Sequence, residues 1–92
     1  MPKYTDYRIN NYYLYFTSQC VVEAMHVHAR KNMNKKGSAK IWVGKNGETK
    51  IQSRGSVSKK DLIDICEYIH ANYMDMYMKW KKYSDNGFYD NV

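Results

Sequence analysis

Ninety-two residues, five glycines, one proline and a 43% hydrophobic share fit one small globular domain, spanning residues 1–92, with a modest core. That composition excludes a fibrous repeat or a long disordered chain, and no apolar run approaches the roughly 18 residues a membrane helix needs. The formal charge is +6, which favours anionic partners over neutral ones.

The aromatic stretch Tyr12-Tyr13-Leu14-Tyr15-Phe16 alternates and reads as a strand. A second strand lies within Val21 to Arg30, clearest over His26-Val27-His28-Ala29-Arg30. Lys31 to Gly37 is polar and without period, so it reads as a loop. Ala39 to Val43 and Thr49 to Ser53 read as a third and a fourth strand, joined through Lys45-Asn46-Gly47.

The register of that hairpin follows from its side chains. A two-residue Asn46-Gly47 turn would set Trp42 opposite Ile51 and Val43 opposite Lys50. A three-residue loop with Gly47 in the left-handed conformation pairs Ile41 with Ile51, Val43 with Thr49, Trp42 with Lys50 and Lys40 with Gln52. The second choice separates apolar from polar faces and is preferred. Ala39, Ile41, Val43 and Ile51 are then expected to face the core, and Lys40, Trp42, Lys50, Gln52 and Arg54 to face away.

A helix is predicted from Lys59 to Tyr83, followed by a short tail over 84–92. Ser58 and Asp61 have capping-box spacing. Leu62, Cys66, Ile69, Tyr73, Met76, Trp80 and Tyr83 recur at alternating steps of four and three, and Ile65 widens the stripe. Such a helix would be about 37 Å long, longer than the width expected of so small a domain, so its last turns are expected to overhang or to bind something. The predicted fold is α+β: an antiparallel sheet of about four strands packed on one long C-terminal helix. The helix stripe also offers a seam for a homodimer.

Charge is concentrated in the middle of the chain. Residues 30–60 carry ten basic side chains against Glu48 alone, a local charge of +9, whereas residues 1–29 balance to zero and 61–92 carry −3. Arg30, Lys35, Lys36, Lys40, Lys45, Lys50 and Arg54, with Trp42 among them, are the candidate binding residues for RNA or for a protein that itself holds RNA. His26 and His28 lie two apart on a strand and so share a face, expected to be the outer one. They are candidates for general acid–base work on RNA, with Arg30 or Arg54 on a phosphate. They could also hold a metal if Glu23 or His70 supplied a third ligand, but neither stands at a recognisable ligand spacing. No cofactor is expected. Cys20 and Cys66 form no C-x-x-C motif and read as buried thiols in a reducing compartment. Met1-Pro2-Lys3-Tyr4-Thr5-Asp6 leads into no apolar run, so no signal peptide and a cytoplasmic location are expected.

His26-x-His28-Ala29, then Gly37-Ser38-Ala39-Lys40-Ile41-Trp42-Val43, then a capped helix ending in Lys79-Trp80-x-x-Tyr83, resembles a widespread bacterial family, domain of unknown function 4160. The resemblance runs from about Tyr13 to Tyr89. It departs from the common form before the His-x-His, where Ala24-Met25 stands in place of prolines. The resemblance implies a small cytosolic α+β protein associated with mobile elements or toxin–antitoxin-like partners. The functional expectation is a basic, non-enzymatic binding module for RNA or a nucleic-acid-processing protein, plausibly an anti-CRISPR-like inhibitor carried by a phage or mobile element. The alternative is a toxin–antitoxin component, a ribonuclease-like toxin using His26 and His28.

Overall fold

Four strands and one helix account for the regular structure in a computed structural model of the chain. It describes residues 3–17, 20–31 and 37–90, with only the backbone of Cys20. The strands are β1 (Tyr13–Tyr15), β2 (His26–Arg30), β3 (Ala39–Val43) and β4 (Thr49–Ser53), and the helix is α1 (Lys59–Lys81). A single turn of 3-10 helix at Cys20–Val22 precedes β2. All neighbouring strands run antiparallel in the order β1-β2-β3-β4, a meander in which β1 and β4 are the edges. The α+β prediction therefore holds, and the second strand is confined to the His-x-His segment. The predicted first strand shortens to Tyr13–Tyr15.

The hairpin adopts the register that side-chain segregation favours. Ile41 pairs with Ile51, Trp42 with Lys50 and Val43 with Thr49. Gly47 has φ +80°, and the Gly44 amide donates to the Glu48 carbonyl at 2.8 Å, closing a three-residue loop. One pairing differs. Lys40 lies opposite Ser53 and not Gln52, because the register shifts between Lys40 and Ile41. Gln52 is the extra residue, and its Oε1 accepts a 3.0 Å hydrogen bond from Trp42 Nε1.

α1 starts where its cap places it: the Ser58 side chain accepts from the Asp61 amide at 3.2 Å. Leu62, Ile65, Ile69, Met76 and Trp80 are buried against Leu14, Val27, Ala29, Ala39, Ile41 and Val43. Cys66 and Tyr73 are only partly buried, and burial holds the Cys66 thiol pKa above its usual value.

Two expectations fail at the helix end. The helix stops at Lys81, leaving Tyr83 outside it and exposed. The last turn does not overhang. Trp80 is 0% exposed, in one core cluster with the N-terminal residue Tyr4 and with Phe16, and Lys79 Nζ donates to the Tyr4 carbonyl at 2.8 Å. The N-terminal arm fills the space that strand pairing leaves at that end. Asn10 fastens the other end of the same arm, donating to Asp61 and Asp64 at 3.1 and 2.7 Å. With the stripe consumed by the core, the chain reaches a radius of gyration of 11.8 Å. Among the described residues no helix is long and apolar enough to cross a membrane.

Candidate nucleic-acid interface

The outer face of the sheet is assembled by strand register. Tyr15, His28 and Lys40 lie opposite one another on β1, β2 and β3, while His26, Trp42 and Lys50 form the parallel row on β2, β3 and β4. Tyr13 and Arg30 pair at the other end. His26, His28, Lys40 and Trp42 therefore do share one face, as alternation predicts.

That face is not open, contrary to expectation. His26 is 0% exposed and Trp42 only 9%. After α1 the chain turns back along the sheet. The Met25 amide donates to the Gly87 carbonyl and the Tyr89 amide to the Val43 carbonyl, both at 2.9 Å. This lays the Tyr89 ring flat on Trp42, with centroids 4.4 Å apart and planes 17° apart. From there the rings continue without a gap: Trp42 meets His26 edge-on at 5.0 Å, His26 meets His28 at 5.0 Å, and His28 stacks on Tyr15 at 5.4 Å. The tail's role is non-local. Its one sequence signal is an aromatic pair, Phe88-Tyr89, after the glycine that follows the helix, with Phe88 stacked on Tyr77 at 3.8 Å.

Burial sets the electrostatics of the two imidazoles. His26 Nδ1 donates to the Ala24 carbonyl at 3.0 Å, so its Nε2 carries the lone pair, and that atom finds no hydrogen-bond partner among the described residues. Loss of solvent pushes the His26 pKa down, and the Ala24 hydrogen bond only partly offsets this. His28 is lowered to about 4, first by burial and then by repulsion from His26, with a hydrogen bond to the Ala39 backbone acting the other way. Both rings are neutral at pH 7. No group of three His, Cys, Asp or Glu side chains able to hold a metal occurs among the described residues. Glu23 does lie nearby, but its carboxylate is engaged by Lys40 at 3.1 Å.

The described cations divide into those engaged at the sheet face and those exposed. Arg30 sits over the Tyr15 ring at 5.0 Å, and Lys40 lies over Trp42 at 4.5 Å while paired with Glu23. Lys45 at the hairpin tip, Lys50 and Arg54 are exposed, and Lys50 approaches the Tyr89 ring at 5.7 Å. Lys35 and Lys36 lie outside the described residues. Trp42 thus offers no open face for stacking. Partly buried Tyr89, which covers it, takes that place, bordered by the Lys50 ammonium. The site missed by sequence reasoning is this tail residue.

No curated protein and no solved structure matches the chain. The sequence profile of one family does match, over residues 11–81, taking in all four strands and the whole of α1: the chain belongs to the domain of unknown function family DUF4160.

Proposed function

We propose that this protein is a small, non-enzymatic binding module whose outer sheet face engages single-stranded RNA in the cytoplasm. The observation that carries this reading is exposed Lys50 beside the Tyr89 ring that stacks on Trp42, on a strand flanked in sequence by exposed Lys45 and Arg54. Cations track a phosphate backbone, and a tyrosine ring stacks on any base, so such a surface binds RNA with little sequence preference. A nucleolytic role for His26 and His28 fits the geometry less well. General acid–base catalysis needs two imidazoles within reach of a ribose hydroxyl, and His26 is sealed beneath Trp42 and Tyr89.

The test is fluorescence anisotropy with a labelled single-stranded RNA of about 20 nucleotides across a salt series. Binding should weaken as salt rises, with a log–log slope of about −0.7 for each phosphate neutralised. The triple change Lys45→Glu, Lys50→Glu, Arg54→Glu should abolish it without unfolding the domain. Lys40 is left out of this set because Glu23 already neutralises it. RNA binding that survives the triple change, or no binding at low salt, overturns the reading. Capture of a protein in place of RNA by the same face would do so too. Cleavage of the RNA, lost in His28→Ala, would favour the toxin alternative.

A further inference from the structure

We propose that the groove between β4 and α1 accepts a β-strand from a partner protein, with apolar side chains on its inward face and acidic ones on its outward face. The groove lies on the side of β4 opposite the outer sheet face, although Lys45, Lys50 and Arg54 border both surfaces, and the proposal does not rest on RNA binding.

The hydrophobic layer of this domain stops one strand short. Ile41 and Ile51 are directly paired on the inner face of the sheet, yet Ile41 is 0% exposed and Ile51 47%. On the helix, Ile63 is 60% exposed. The hairpin tip holds α1 close at one end: the Tyr73 ring lies so near Gly47 that a Cβ there would meet it at 2.5 Å, and His70 Nδ1 bonds the Gly47 carbonyl at 3.1 Å. Toward the helix N-terminus a cleft opens between α1 and β4. This cleft, of about 790 Å³, has an apolar floor of Ile51, Leu62, Ile63 and Cys66, where Lys59 lies at the end opposite the hairpin tip and the carboxylates Glu48 and Glu67 also line the cleft. That volume is within the range of binding clefts.

The upper wall of the cleft is a sheet edge with which no strand pairs among the described residues. β4 ends the sheet. In an antiparallel ladder hydrogen-bonded pairs alternate. Gly44–Glu48 is hydrogen-bonded, so Trp42–Lys50 is the next such pair, and the amides and carbonyls of Thr49 and Ile51 point outward along the free edge. The bulge at Gln52 confines regular pairing to this stretch. A strand added here would satisfy those groups and send alternate side chains down between Ile51 and Ile63, the mode known as β-augmentation.

Charge selects the occupant. An added strand's outward residues would lie beside Lys50, with Lys45 and Arg54 exposed at either end of β4. A second copy of this +6 chain would bring the same lysines against each other, whereas alternating acidic and apolar residues match both faces.

The probe is a synthetic peptide of about ten residues alternating valine with glutamate, compared with the same peptide carrying lysine for glutamate. Amide exchange and chemical shifts of the full chain are read by NMR. The glutamate peptide should slow exchange of the Thr49 and Ile51 amides by about tenfold or more and shift Ile63, and should bind about tenfold more tightly than the lysine peptide. Ile51→Lys and Ile63→Lys, both at exposed positions, should remove binding and keep the melting temperature. Three results overturn the proposal. They are no protection at millimolar peptide, equal binding of the lysine peptide, or protection that rises with protein concentration alone alongside a dimer in sedimentation. The last would make a second copy the occupant.

Discussion

At β2 both faces of the sheet are closed. Val27 and Ala29 are sealed from below by the core, and His26 from above by Trp42. At β4, two strands away, neither face is closed: Lys50 and Gln52 are exposed above and Ile51 half-exposed below. Polarity does not explain the contrast, since a histidine is buried and an isoleucine is not. Coverage does. β2 lies between α1 and the returning tail, while α1 touches β4 only lightly and the tail reaches it only where Lys50 approaches the Tyr89 ring. Stability should reside in the first region and recognition in the second, because an interface needs surface that folding has left unsatisfied.

The largest effect should come from the helix residue that closes the covered region. Trp80→Ala should cost about 3–5 kcal/mol in urea unfolding. Trp80→Phe should cost much less, because the Trp80 indole N–H is buried without a hydrogen-bond partner, so its removal forfeits little. A small loss in Trp80→Ala would mean that the N-terminal arm does not hold the helix end.

Next comes His26. Viewed as an outer-face residue it should be dispensable. Buried, its loss opens a cavity and strands the Ala24 carbonyl, so His26→Ala should cost about 2–3 kcal/mol. Tyr89→Ala should instead leave the fold intact, uncover Trp42 and let the imidazole pKa values climb back toward 6.5, a shift NMR titration reads directly.

These residues also show where sequence reasoning stops. The hairpin register followed from one local fact, that a shift by one residue would set Ile51 against Trp42, and α1 followed from its cap and stripe. Both depend on near neighbours in the chain. The burial of His26 depends on Tyr89, more than sixty residues away, and no alternation pattern marks an outer face that will be roofed. The bulge at Gln52 was hidden for a similar reason: its amide is used by Trp42 across the strand pair. The exposure of Lys45, Lys50 and Arg54 was legible because, among the described residues, the one distant ring seen approaching them is that of Tyr89, at Lys50.

The histidines give the covered region a pH dependence. His28 has a folded pKa of about 4 against 6.5 when unfolded, so between those values the unfolded chain binds more protons. Stability is therefore complete above pH 6.5 and is lost as pH falls toward 4. Allowing for solvent screening of a half-buried ring, the loss should be about 1–2 kcal/mol. His28→Gln should flatten that slope. An unchanged slope would place the acid sensitivity of that window on His26, whose pKa burial also lowers, since Asp61 and Asp64, held down by hydrogen bonds from Ser58 and from Asn10 respectively, act only below the ordinary carboxylate range.

The smallest effect gives the sharpest form of the comparison, because it uses one residue type on one rung of the sheet. Ile41 and Ile51 are directly opposed on the same face. Truncating Ile41 removes a fully buried side chain and should cost about 2–5 kcal/mol. Truncating Ile51 removes a side chain that is already half in water. Its transfer to alanine forfeits only about 25 cal/mol for each Å² of apolar area it covers, and no closed cavity forms, so the cost should stay below about 1 kcal/mol. Equal costs would mean that β4 is covered in solution and that the open cleft is filled by the chain itself or by another copy of it. Unequal costs in the free protein, converging once the valine–glutamate peptide is bound, would show Ile51 becoming core only when a partner strand completes the layer.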